Sequence, residues 1–104
     1  MRLSGHVPEL GAIEVLLAVA HAGSLNAAAA EVGVSQQAVS ARMRSLEAQT
    51  GVVLLRRGAR GSQLTSEGVV VAEWAARLMD VAAEFDVGLA TLRQDRRRDR
   101  KSVV

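Results

Sequence analysis

Gln36, Gln37, Ser40, Arg42 and Arg44 crowd into one short segment bounded by Ser35 and Gly51. A glutamine amide offers a donor and an acceptor that match the N6 and N7 edge of adenine, and a serine hydroxyl bonds to either kind of base edge. Arginine at such positions pairs with phosphate or with a neighbouring acid. Further along, Arg56, Arg57 and Arg60 surround Gly58 and Gly61. Guanidinium groups on a Gly-rich turn can approach a polyanion closely, and a narrow minor groove concentrates the negative potential that attracts them. This is hydrogen-bonding and electrostatic chemistry. Nothing points to catalysis: His6 and His21 lie apart with no carboxylate at ligand spacing, and Ser24, Ser35 and Ser40 have no base nearby in the sequence. The glycines form no phosphate loop, and the absence of cysteine excludes a disulfide scaffold or thiolate metal site. No enzyme, metal site or cofactor is expected in this chain.

The charge distribution agrees with a polyanion partner. Net charge is only +2, yet residues 35–65 set five arginines against Glu47, a local +4. Residues 66–92 set Arg77 against five acids, a local −4, and residues 93–104 return to +4. One surface is directed at a polyanion and another is kept away from it. No apolar stretch is long enough for a membrane span or a signal peptide, so the expectation is a cytoplasmic protein without a membrane partner.

Helices must position these groups. Hydrophobic residues make up 49% of the chain but aromatics only 2%, which suits small-residue helical packing. In residues 9–22, Leu10, Ile13, Leu17 and Ala20 recur at helical spacing, with Pro8 in the first turn and Gly23 as a stop. Ser24 caps a second, short helix that ends at Gly33, and Ser35 caps a third that closes at Gly51. In the third helix Val39, Met43, Leu46 and Thr50 share one stripe, while Gln37, Ala41, Arg44 and Ala48 lie opposite. Two helices joined by a turn of about four residues make a helix-turn-helix. Residues 52–57 then read as a strand, 58–61 as a turn where both glycines permit positive φ, and 62–65 as a second strand. From Thr65 or Ser66 a long helix carries Val71, Trp74, Leu78, Val81, Phe85, Gly88 and Leu92 at heptad spacing. A second stripe holds Ala72, Ala75, Met79, Ala82 and Leu89. About 27 residues would extend roughly 40 Å, more than so small a domain can cover.

Residues 10 to about 92, and most closely residues 22–68, resemble the LysR-type bacterial transcription regulators. The resemblance rests on Gly23 and Ser24, Ala28 and Ala29, Val34 to Gln36, Ala38 to Ser40, Leu46 and Glu47, Gly51, Arg57 to Gly61, and Leu64, Thr65 and Gly68. Gln37 stands where that family usually has Pro, Leu55 replaces the usual Phe, and Ala41 a longer polar residue. The resemblance implies that the long helix is a dimer linker and that a C-terminal effector-binding domain normally follows. The chain stops where that domain would begin, and a shortened piece of a longer protein is the expectation. A small-molecule effector is expected only if such a domain exists.

The expected fold is mainly α, a winged helix-turn-helix of three helices and a two-stranded wing over residues 1–65. A dimerisation helix follows over 66–93, then a basic, flexible tail over 94–104. The expected function is sequence-specific binding of double-stranded DNA at a pseudo-palindromic site by a homodimer, with RNA polymerase as a possible further partner. The third helix would present Gln36, Gln37, Ser40 and Ala41 to bases in the major groove. Arg42 and Arg44 would take phosphates or pair with a nearby acid. The helix starts at Ser24 and Ser35, with Asn26, would take phosphates. Arg60 would enter the minor groove, Arg57 would hold phosphate or a structural ion pair, and Arg56 would be solvated. Trp74, Leu78, Val81, Phe85 and Leu92 would form the dimer seam. Three alternatives remain at this point. They are a protein-interaction module built on the heptad helix, a non-specific architectural DNA-binding protein, and a winged helix of the molybdate-responsive regulator kind.

Overall fold

A computed structural model describes residues 1–59 and 61–102, in backbone alone from residue 98 onward. Three helices come first, α1 (Leu10–Ala22), α2 (Leu25–Val32) and α3 (Gln36–Thr50). A hairpin of β1 (Leu55–Gly58) and β2 (Gly61–Leu64) follows, and then α4 (Ser66–Ser102).

Local chemistry sets the ends of the first three helices. The Ser24 and Ser35 hydroxyls accept from the N–H groups of Ala27 and Ala38, each at 3.1 Å, satisfying donors that a helix start leaves free. Between α2 and α3 the chain reverses at Gly33, whose φ of 80° lies in the left-handed region where a side chain is strained. There the N–H groups of Gly33 and Val34 both bond to the Ala29 carbonyl, at 2.9 and 3.1 Å. α1 begins one residue later than its apolar spacing suggests. Glu9 is extended and acts as the N-cap, so Pro8 precedes the helix instead of occupying its first turn.

The core joins one face of each helix. Ile13, Val15, Leu16 and Val19 of α1 meet Ala28 and Ala29 of α2 and Val39, Met43 and Leu46 of α3. Leu54 and the α4 residues Ala72 and Ala75 complete it. Burying each large side chain contributes about 1.5–3 kcal/mol. Alanines at 28, 29, 72 and 75 allow helices to approach closely at little conformational cost.

The wing is shorter than its hydrophobic run. Val52 to Leu54 read as strand, yet the ladder starts at Leu55. The N–H groups of Leu54 and Leu55 are taken by the Glu47 carboxylate, and Leu54 is buried in the core. At the other end Thr65 leaves β2 to start α4. Of the two turn glycines, Gly61 alone takes positive φ, at 94°.

α4 runs to Ser102, beyond the seam's end at Leu92 and through the segment expected to be a flexible tail. Arg, Gln and Lys are strong helix formers, and continuing a helix is easier than starting one. Of its two stripes, Ala72, Ala75, Val71 and Met79 pack on the core. The adjacent stripe is exposed: Trp74 at 55%, Val81 at 62%, Phe85 at 68% and Leu92 at 67%. Among the described residues no helix is long and apolar enough to cross a membrane.

Candidate nucleic-acid interface

The start of α2, the inner flank of α3 and the wing converge on one open cleft of about 620 Å³. Ser24 and Asn26 line it from α2, Gln36, Ser40 and Arg44 from α3, and Arg57 and Ser62 from the hairpin. The helical period explains the α3 set, because positions 36, 40 and 44 are four apart and stack on one flank. Leu25 and Leu55 supply apolar walls. Arg44 donates through Nη1 to the Ser40 hydroxyl at 3.2 Å, which lays the guanidinium along the helix.

Other expected residues fall elsewhere. Ser35 caps α3 at the edge of the helix-turn-helix, and Gln37 is fully on the surface in the first turn. Ala41 and Arg42 line a different cleft, between α1, α2 and α3, together with Glu9, Glu14 and Glu31. That setting suits Arg42 as partner to a nearby acid. Arg60 lies outside the described residues.

Two cleft residues were not singled out by sequence reasoning. Ser62 pairs with Arg57 across the hairpin, so both side chains emerge on the same face. Strand alternation, once the register is known, would have found it. Glu47 is an acid at the floor of a basic cleft, and its Oε2 accepts from Leu54 N–H at 2.8 Å and Leu55 N–H at 3.2 Å. Its charge is thus used inside the protein.

Electrostatics favour an anion at this surface. The starts of α2 and α3 carry the positive ends of their helix dipoles. Arg56 projects from the hairpin's other face, opposite Gln63. Glu67, in the first turn of α4, is held below its ordinary carboxylate range. The cause is mainly its own backbone N–H, then the Ser66 hydroxyl at 3.2 Å, with further help from the Arg56 charge.

Comparison with known proteins points the same way. Residues 10–69 match the family described as bacterial regulatory helix-turn-helix protein, lysR family. An uncharacterized HTH-type transcriptional regulator of Mycobacterium tuberculosis (strain ATCC 25618 / H37Rv) is 58% identical over 97 residues, covering 93% of this chain and 31% of that protein. The chain therefore spans about a third of the length of such relatives. Among solved structures, the CbnR_DBD–DNA complex superposes with a TM-score of 0.71 at 39% identity, covering 76% of this chain and 91% of that one. The BenM_DBD/catB site 1 DNA complex does so with a TM-score of 0.77 at 26% identity, covering 82% and 96%.

Proposed function

This chain belongs to the LysR family of bacterial regulatory helix-turn-helix proteins, and from that premise we propose that it is the sequence-specific DNA-binding part of a transcription regulator. The observation that carries the proposal is the single cleft into which α2, α3 and the wing bring Asn26, Gln36, Ser40, Arg44 and Arg57. A B-DNA major groove accepts one α-helix, read by the first turns of the recognition helix. Gln36, Gln37 and Ser40 take the base edges, with Gln36 bidentate to adenine. Ala41 contributes at most contact with a thymine methyl. Ser24, Asn26, Ser35 and Arg44 hold phosphates, Arg57 a phosphate beside the wing, and Arg60 the adjacent minor groove. Arg42 is the weakest member of the set, given its acidic surroundings.

The exposed stripe of α4 assembles two copies. Trp74, Leu78, Val81, Phe85 and Leu92 leave a continuous apolar strip on a helix of 37 residues, and monomeric proteins seldom expose such strips. A two-fold pair places two recognition helices in successive major grooves, about 34–36 Å apart, and so reads a pseudo-palindrome. The regulator acts in the cytoplasm, where its DNA and RNA polymerase are. Where the whole protein carries a C-terminal effector domain, a small molecule controls it.

Footprinting and salt titration on the DNA adjoining the protein's own gene test this reading. The expected result is a symmetric footprint with log affinity falling linearly in log salt, and one duplex preferred over random DNA by about 10³-fold or more. Equal affinity for every duplex overturns it in favour of an architectural protein. DNA binding that survives substitution of both Gln36 and Arg57 by Ala places the interface elsewhere.

A further inference from the structure

The three elements assigned to major groove, minor groove and dimer partner meet at one hydrogen-bonded junction. Glu47 of α3 accepts from the N–H groups of Leu54 and Leu55 at the root of the wing. The Leu54 carbonyl accepts from the Thr65 N–H at 2.9 Å. The Thr65 hydroxyl donates to the Val53 carbonyl at 2.5 Å and accepts from the Gly68 N–H at 2.9 Å in the first turn of α4. Thr65 is the one buried polar residue among the described residues, and the Leu54 side chain is fully enclosed in the core. Gly68 lies against the wing root so closely that a Cβ there would overlap the Leu54 carbonyl oxygen. That oxygen is backbone, tied by Thr65, and cannot swing aside as a side chain would.

From this we infer that the junction of Glu47, Leu54, Thr65 and Gly68 sets the angle between α3 and α4. Gly68 and Glu47 are thereby positioning residues that determine which half-site spacing the dimer accepts. The inference rests on the DNA-binding and dimer readings above. An Ala at 68 needs roughly 1 Å more room to reach an ordinary C···O separation. α4 stays against the core as far as Met79, about 16 Å along the helix, so the same shift tilts it by about 3–4°. Two-fold symmetry doubles the tilt to about 7°, and an arm of about 20 Å from Gly68 to the seam's centre at Val81 turns that into roughly 2.5 Å. One base pair is about 3.4 Å. The change is therefore of the size of one step in spacing.

The test uses the 104-residue chain and a duplex that the wild-type protein selects from a randomised pool. That duplex is remade with its centre lengthened or shortened in single base-pair steps, alongside a duplex carrying one half-site. The wild-type protein should show one spacing optimum. Gly68→Ala should move that optimum by about one base pair or spread it over two neighbouring spacings, while its affinity for the single half-site stays within about twofold. Thr65→Ser keeps both hydroxyl bonds and should reproduce the wild-type profile. Glu47→Ala loosens the same junction without overlap and should flatten the profile, which keeps the idea testable if Gly68→Ala does not fold. A Gly68→Ala or Glu47→Ala profile superimposable on wild type overturns the inference, as does an equal loss at every spacing and at the half-site. A wild-type protein that selects a sequence but tolerates all spacings also overturns it. A wild-type protein that selects no duplex instead sinks the DNA-binding reading on which it stands.

Discussion

Phe85 offers the cleanest perturbation, because it is exposed in the single chain and yet central to the proposed dimer. It is 68% exposed, and an aromatic side chain presents roughly 200 Å², so about 140 Å² awaits cover. Fully covered, that area is worth about 3.5 kcal/mol, and a two-fold pair gains it twice, a ceiling of about 7 kcal/mol. Interfaces recover only part of such sums, because immobilisation and imperfect fit oppose them. If half is realised, Phe85→Ala weakens the dimer by about 3.5 kcal/mol, a few hundredfold in Kd. Phe85→Asp should abolish the dimer outright, since two carboxylates would be forced toward an apolar seam. Sedimentation equilibrium gives the Kd. Trp74 is the chain's one tryptophan and lies 55% exposed in the same seam, so its emission should shift to the blue on association and report the same curve. The melting temperature of dilute protein should not fall, because Phe85 makes no core contact within its own chain. A Phe85→Asp protein that remains dimeric at wild-type Kd would refute the assignment of this face. A loss of monomer helicity would show that the residue supports the fold instead.

Three further outcomes test other parts of the reading. Gln36→Ala should lower the preference for the selected duplex over random DNA by about 1–3 kcal/mol with little change in salt slope, whereas Arg57→Ala should reduce that slope by about one. Both are read from anisotropy titrations at several salt concentrations, and the reverse pattern would exchange their roles. Ser35→Ala removes the α3 cap and should cost about 1 kcal/mol of stability, visible as a fall in urea midpoint at constant slope. Glu67 has a folded-state pKa below its ordinary value of 4.5, so its stabilisation is present above that value and lost as pH falls through the lower folded-state one. Glu67→Gln should therefore lower stability near neutrality slightly and remove part of the decline on acidification. An unchanged acid limb would contradict this.

Much of the fold was legible from residues that act on their own neighbourhood. Ser24, Ser35, Gly33 and Gly51 mark helix ends because capping and left-handed φ are decided within a few residues, and all four work as their types suggest. The hairpin was legible too, although not its length. Val52 to Leu54 carry strand propensity, but their fate depends on Glu47 reaching across from α3. The candidate site was legible as a list and not as a surface. Gln36, Ser40 and Arg44 share one flank by the helical period, yet nothing local shows that this flank faces the wing while Arg42 faces Glu9, Glu14 and Glu31.

α4 divides the two kinds of information most clearly. Its two apolar stripes are visible in the spacing of Trp74, Leu78, Val81 and Phe85 beside Ala72, Ala75 and Met79, since the period of a helix is a property of the chain alone. Which stripe meets the core is not. The small residues at 72 and 75 pack beside α1, where large ones would hold the helices apart, and the bulky stripe is left outside. Likewise the residues of the Leu64, Thr65 and Gly68 signature can be read in order, but their purpose cannot. Only in three dimensions does Gly68 come against Leu54 and Thr65 tie the wing to α4. Periods, caps and charges could be read from the order of residues, because those depend on near neighbours. Facing, register and the angle between α3 and α4 emerge only on folding, because those depend on contacts between residues far apart along the chain.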